Sequence, residues 1–397
     1  MQFFLQNPTH TPFVFTSTRR CARQVSSLDE LFAAPDDSYL VQAPAETVHI
    51  PPPDVYHGCG PETGLRSGYF GEDRSYADYS YPVGERLIGK FHDIEIDPRT
   101  GFPFIDGNLV VSDFYHGPNV IAAHWNPYIV QTNTAPGLRS DLLLRPRPAT
   151  MLRRTEDVLS LDFMWNDYYY HFVIDCLPKL LNARSEPRFA AMPILWRTET
   201  PPYTAQYLRA LGLWDQLMPL AGDVTRCDRV FIPSVVTPNG WTRQTLSTLR
   251  NAVLPAFGIE PPSRPHRMIL LSRRDARTRR IVNESDLASA LAPLGFELVV
   301  PGALSVAEQI RMFAEARLIV GPHGSAWANI VYGSAGAGML EIQPQGRCLP
   351  TMYSIAKLMG VNYGSYAADQ VTPEGDMIVD VPRIVEMART LLDLSAR

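Results

Sequence analysis

Apolar positions along this chain follow two rhythms: short runs or alternations of strand length, and longer segments that repeat at helical spacing. The first hundred residues are irregular. Pro51-Pro-Pro53 and a Tyr/Gly/Ser-rich stretch from Gly68 to Gly84 interrupt short strand candidates at Tyr39 to Val41 and Thr47 to Ile50, which predicts a β-rich region with long loops. From Asn108 the pattern regularises. Leu109-Val-Val111, Val120-Ile-Ala122 and Tyr128-Ile-Val130 predict successive strands. A helix over Tyr168 to Ala183, a strand at Met192 to Leu195, a helix over Tyr203 to Leu213, a strand at Arg229 to Ile232 and a helix from about Thr242 to Phe257 follow. Helices alternating with short apolar strands imply a parallel sheet covered on both faces.

Gly258-Ile-Glu-Pro-Pro-Ser-Arg-Pro265 holds three prolines, which exclude regular structure across it and mark a domain boundary. Beyond it the alternation is stricter. Strands at Met268 to Leu271, Phe296 to Val300, Leu318 to Gly321 and Gly338 to Ile342 are separated by helices over Glu284 to Leu294, Val306 to Ala316 and Ser325 to Tyr332. This is a doubly wound βα domain. Pro382 to Leu394 places Ile384, Val385, Met387, Ala388, Leu391 and Leu392 on one face of an amphipathic helix that docks on a neighbouring surface. The expected division is residues 1–105 as a β-rich accessory region, 106–260 and 261–381 as two Rossmann-like domains, and 382–397 as the docking helix.

The 397 residues, 45% hydrophobic and 19% charged, describe a globular protein of two or three domains with no apolar run of membrane-spanning length. The N-terminus lacks the basic start of a signal peptide, so a cytoplasmic location, at most peripheral to an inner membrane, is expected. Cys21, Cys59, Cys176, Cys227 and Cys348 are scattered and odd in number, which fits neither a disulfide framework nor structural zinc. The net charge of −5 carries no basic tail, and a nucleic-acid partner is not expected. Lys90, Lys179 and Lys357 stand against 33 arginines, so each single arginine is weak testimony to function.

The strongest local signal is Arg317-Leu-Ile-Val-Gly-Pro-His-Gly-Ser-Ala-Trp-Ala-Asn-Ile-Val331, an apolar strand that turns sharply into a helix capped by Ser325. Such a helix start can bind a phosphate through free N–H groups and its dipole, with His323 beside it. The same pattern also fits an ordinary βα turn. Seven arginines lie between Arg264 and Arg280; Arg273, Arg279 and Arg280 are diphosphate candidates, with a solvated loop as the alternative. Asn283 has the chemistry of a helix cap and Glu284 complements the dipole. Glu341 suits a ribose diol, or is a strand-end carboxylate in water. His171 and Asp175, four apart on a helix, can pair, so that the carboxylate orients an imidazole base; a structural pair is the alternative. GxSxG, HExxH, GxGxxG and Walker motifs are absent, and no metal site is expected.

The blocks Tyr169-Tyr-His-Phe-Val-Ile-Asp-Cys-Leu-Pro-Lys179, Leu270-Leu-Ser-Arg-Arg274, Arg279-Arg-Ile-Val-Asn-Glu284, Glu308-Gln309, Gly321-Pro-His-Gly-Ser-Ala-Trp-Ala-Asn329 and Leu340-Glu-Ile-Gln-Pro344 together resemble glycosyltransferase family 61. The resemblance runs from about Leu161 to Pro344 in order and spacing. It implies an α/β enzyme of GT-B type, with two Rossmann-like domains facing a cleft, the acceptor mainly on the first and the nucleotide on the second. The family includes plant xylosyl- and arabinosyltransferases, eukaryotic N-acetylglucosaminyltransferases and bacterial proteins of capsular and cell-surface polysaccharide synthesis. Carried onto this chain, the donor site comprises Arg273, Arg274, Arg279, Arg280, Asn283, His323, Gly324, Ser325, Asn329 and Glu341, and either His171 or Asp175 is the base. The implied substrates are a nucleotide sugar, UDP-linked, and a glycan acceptor. The reaction inverts the anomeric carbon, and neither metal nor cofactor is required. A catalytically silent sugar- or nucleotide-binding partner of a polysaccharide assembly complex, or a nucleotide-sugar epimerase, are the competing classes.

Overall fold

Five segments in the second half of the chain pair into a parallel sheet: β1 (Arg267–Leu271), β2 (Phe296–Val299), β3 (Ala316–Pro322), β4 (Gly338–Pro344) and β5 (Asn362–Gln370). The structure, a computed structural model, describes residues 22–58, 79–96, 98, 150–161, 168–196, 200–222, 224–234, 241–346 and 349–395, with strand segments at 10–13, 15–17, 64–65, 74–75, 103–105, 108–111 and 143–146. The expected strands at Val120 to Ala122 and Tyr128 to Val130, and the cysteines Cys21, Cys59 and Cys348, lie outside the described residues. The chain divides into two units: Met1–Glu46, Val83–Ala205 and Gly212–Gly240 form the first, and Thr47–Pro82, Gln206–Leu211 and Trp241–Arg397 the second. Among the described residues no helix is long and apolar enough to cross a membrane.

In the second unit the strands lie in the order β2-β1-β3-β4-β5, so that chain order reverses between β1 and β3. β4 is buried along its whole length and β3 nearly so, which explains their near-continuous apolar runs. Leu270, Leu318, Val320, Leu340 and Ile342 face one layer, packed with Leu287 and Leu291 of the helix Glu284–Leu291 and with Ile384, Met387, Ala388 and Leu391 of the helix Val381–Leu394. The C-terminal helix therefore docks on the sheet of its own unit. Alternate strand residues face the other layer, where the helix Val306–Glu315 and the 3-10 helix Ser325–Tyr332 pack through Phe313 and Trp327, rings 6.0 Å apart and edge to face.

Three features of this unit depart from the sequence reading. The helix Arg243–Ala256, capped by Thr242, precedes the proline-rich linker yet belongs to the second unit; Arg250 donates to the Val331 and Gly333 carbonyls. Prolines stop regular structure locally but do not decide which body the preceding helix joins. A short strand from the N-terminal region, Val55–His57, pairs parallel to β5. β5 itself, and the helix Thr351–Leu358 before it, lie beyond the elements expected from the sequence.

The first unit holds a mixed sheet. Four strands run parallel in the order Leu217–Pro219, Ile194–Trp196, Met151–Ser160, Val224–Pro233, which in chain order is a third-second-first-fourth arrangement. This is half of a Rossmann-type sheet. On its far side Arg86–Ile96 pairs antiparallel with Val224–Pro233 and with Ser38–Ala43. Residues 1–105 are divided between the two units, and strands among them extend both main sheets, Arg86–Ile96 in the first and Val55–His57 in the second.

Backbones at the reversal point are unusually close. A methyl group on Gly321 of β3 would lie 2.7 Å from Leu271 Cβ and 3.1 Å from its carbonyl oxygen. Gly321→Ala is therefore expected to destabilise the protein by about 1–3 kcal/mol through overpacking, read as a lower urea midpoint at unchanged m-value.

Candidate functional site

Ligands of open α/β sheets bind outside the carboxyl ends of the strands where their order reverses, which in the second unit is the gap between β1 and β3. β1 delivers Ser272, Arg273 and Arg274 to that point, and β3 delivers His323 and Gly324. Arg273 Nε donates to the Thr278 carbonyl at 3.2 Å, and its guanidinium lies directly against Gly324, where any side chain would collide with it. Burial lowers the pKa of Arg273, an effect that the charge of Asp275 only partly opposes. A half-buried guanidinium of this kind gains from an anionic ligand.

His323 is held from two sides. Its backbone N–H donates to Ile342 O at 2.8 Å, and its Nδ1 lies 2.6 Å from Glu341 Oε1. Glu341 is wholly buried, and its second oxygen accepts from the Tyr363 hydroxyl at 2.7 Å and from Gln343 Nε2 at 3.3 Å. A ribose contact, the role expected of Glu341, needs an exposed oxygen; both of its oxygens are instead engaged inside the sheet. A buried carboxylate on Nδ1 leaves Nε2 as the ring nitrogen of His323 without a hydrogen-bond partner among the described residues.

The helix after the turn is 3-10 rather than α, and Gly324 occupies its N-cap with extended backbone. Ser325, expected as the capping side chain, is instead the exposed first residue and makes no cap bond. Trp327 N bonds back to Gly324 O, so the Ser325 and Ala326 N–H groups precede the first intrahelical bond. The Trp327 indole donates to Pro322 O at 3.0 Å and locks the turn.

Other expected donor residues are placed in structural roles. Arg274 pairs with Glu284 at 3.0 Å. Arg280 embraces Asp376 through Nε at 3.0 Å and Nη2 at 2.6 Å, and its backbone N–H donates to the same carboxylate; these bonds hold Asp376 below the usual carboxylate range. Arg279 takes a left-handed backbone conformation, φ 59°. Asn283 does not cap its helix: its amide exchanges two bonds with Val379, at 2.9 and 3.1 Å. Asn329 is fully buried and donates to Gln309 and to Ala326 O. The structure thus gathers Arg273, His323, Gly324 and Ser325 at the switch point, with Glu341 behind them. Gln343 lies within the Leu340 to Pro344 block, whereas Tyr363 and Asp376 belong to no motif; their only sequence signal is polarity inside a strand or turn.

The first unit carries the second cluster. The helix that follows Met151–Ser160 begins at Tyr169 and runs to Arg184, but Phe172–Cys176 forms a π-helical turn. Such insertions concentrate at functional positions. His171 stands in the first turn, its Nδ1 2.6 Å from Asp175 Oδ2; the imidazole is 30% exposed and the carboxylate 3%. Tyr168 and Tyr170 present their rings edge-on to the imidazole at 6.3 and 5.0 Å. The carboxylate is buried and the imidazole is not, so Asp175 orients the His171 ring through Nδ1.

No curated protein matches the chain. A family model described as Glycosyltransferase 61 matches residues 169–340, opening just before His171 and closing just before Glu341. Both clusters fall inside or at the edge of that span, over which the chain is similar to glycosyltransferase family 61.

Proposed function

We propose that this protein is an inverting glycosyltransferase of GT-B type that moves a hexose or pentose from a UDP-sugar to a glycan hydroxyl, in the cytoplasm, during cell-surface polysaccharide synthesis. The observation that carries the donor half is the convergence of Arg273, His323 and a helix start on one strand-order reversal. The diphosphate lies there, with the Arg273 guanidinium and the Ser325 and Ala326 N–H groups on its oxygens. These positive groups meet charge where it grows as the nucleotide departs, which makes a metal unnecessary to the reaction.

His171 acts as base. It takes the proton of the acceptor hydroxyl at Nε2 while Asp175 holds Nδ1–H and stabilises the imidazolium. The acceptor oxygen forms its bond to the anomeric carbon from the face opposite the nucleotide, and the bond from that carbon to the diphosphate oxygen breaks. One bond is made and one broken, so the configuration inverts.

A panel of nucleoside diphosphates and nucleotide sugars tests the donor assignment by thermal stabilisation and slow hydrolysis. UDP-linked donors are expected to raise the melting temperature; no shift with any member removes the reading. Arg273→Ala is expected to weaken UDP binding about tenfold or more, measured by calorimetry. His171→Ala is expected to lower kcat by about a hundredfold to ten-thousandfold at unchanged UDP affinity. Turnover near the parent level in that variant excludes His171 as base.

A further inference from the structure

Tyr363 lies outside the matched span and outside every motif, yet it is fully buried and bound at both ends. Its backbone N–H donates to Asp54 Oδ2 at 2.7 Å, its carbonyl accepts from Asp54 N at 2.8 Å, and its ring packs 5.2 Å from that of Tyr353. At the other end its hydroxyl reaches Glu341 at 2.7 Å. The direction of that bond is fixed by its neighbours. Leu349 N donates to Gln343 Oε1 at 2.7 Å, which turns Gln343 Nε2, a donor only, toward Tyr363 Oη and Glu341 Oε2 at 3.3 Å and the Leu349 carbonyl at 3.5 Å. A carboxylate oxygen only accepts, so across the 2.7 Å contact the phenol donates its proton to Glu341. Glu341 Oε2 is thereby saturated with donors, and Oε1 is left to accept from His323 Nδ1.

We propose that Tyr363 is a positioning residue of the donor site: through Glu341 it fixes His323 as an Nδ1–H donor and so presents Nε2 to the diphosphate of the nucleotide. The proposal rests on the reading of the switch point as a diphosphate site. Around His323 the polar groups are Glu341 on β4, Tyr363 on β5 behind it, and Arg273 against Gly324. A phosphate oxygen only accepts, so Nε2 bonds it as an N–H donor from the doubly protonated ring, with Nδ1–H held by Glu341. Without the Tyr363 proton, Oε2 loses its short donor, the carboxylate is free to rotate, and the His323 ring loses its fixed tautomer. Positioning partners of this kind set ring orientation without touching the ligand.

The test uses the full chain labelled with [15N]histidine, the His323 ring signals being identified by their loss in His323→Gln. The parent protein is expected to show the proton on Nδ1. Tyr363→Phe, which keeps the ring and removes only the hydroxyl, is expected to give a mixture of tautomers and an affinity for UDP about tenfold lower. Tyr353→Phe, whose hydroxyl bonds the Ile50 and Pro51 carbonyls instead, is the control and leaves both unchanged. Combined with Glu341→Gln, Tyr363→Phe is expected to add little further loss, since both act through one carboxylate. An unaltered tautomer in Tyr363→Phe, or losses that add fully in the double variant, overturns the proposal. Should Tyr363→Phe not fold, 3-fluorotyrosine at position 363 keeps the hydroxyl and changes its donor strength, and unmoved His323 signals then overturn it. If the parent protein binds no nucleoside diphosphate, the donor-site reading falls, while the tautomer comparison still decides the relay.

Discussion

A fully buried carboxylate is costly unless donors surround it, and the second unit is organised around such a group. Glu341 sits in β4 with no exposure and draws a donor from each direction: His323 after β3, Gln343 along its own strand, and Tyr363 from β5. Three neighbouring strand segments are thereby tied at one depth in the sheet. The consequence for chemistry is that His323 is held by the interior of the protein and not by solvent, which gives a fixed geometry at the place where the strand order reverses.

The two clusters share one construction, in which a buried acid holds Nδ1 of a half-exposed or nearly buried histidine. In the first unit acid and base are four residues apart on one helical segment, and a π-helical turn intervenes. In the second they come from adjacent strands. The first arrangement is visible in sequence because helical spacing is local. The second is not, because nothing in the spacing between His323 and Glu341 says that β3 and β4 are neighbours.

That contrast describes how far this chain can be read. Strands buried on both faces announce themselves as apolar runs, and β1, β3 and β4 lie close to their expected positions. β5, Asn362-Tyr-Gly-Ser-Tyr and onward, is buried over much of its length but carries polar and small residues, among them Tyr363 that bonds Glu341, so its composition hides it. The arginines mislead for a related reason. In a chain whose cation is almost always arginine, pattern cannot separate Arg273, which lies against Gly324 at the switch point, from Arg280, which is consumed by Asp376. Only the neighbours distinguish them, and Asp376 arrives from 96 residues further on.

The strand Val55–His57 has a consequence for biogenesis. Asp54 bonds Tyr363 across 309 residues, and the strand beside it completes the edge of β5. Closing a loop of that length costs entropy before any contact repays it, and contacts of this range slow folding. On the ribosome the segment around Asp54 is made 309 residues before Tyr363 of its partner strand. Until β5 follows, Val55–His57 lacks its pairing, which makes it a place where a nascent chain is exposed to mispairing and to chaperone capture.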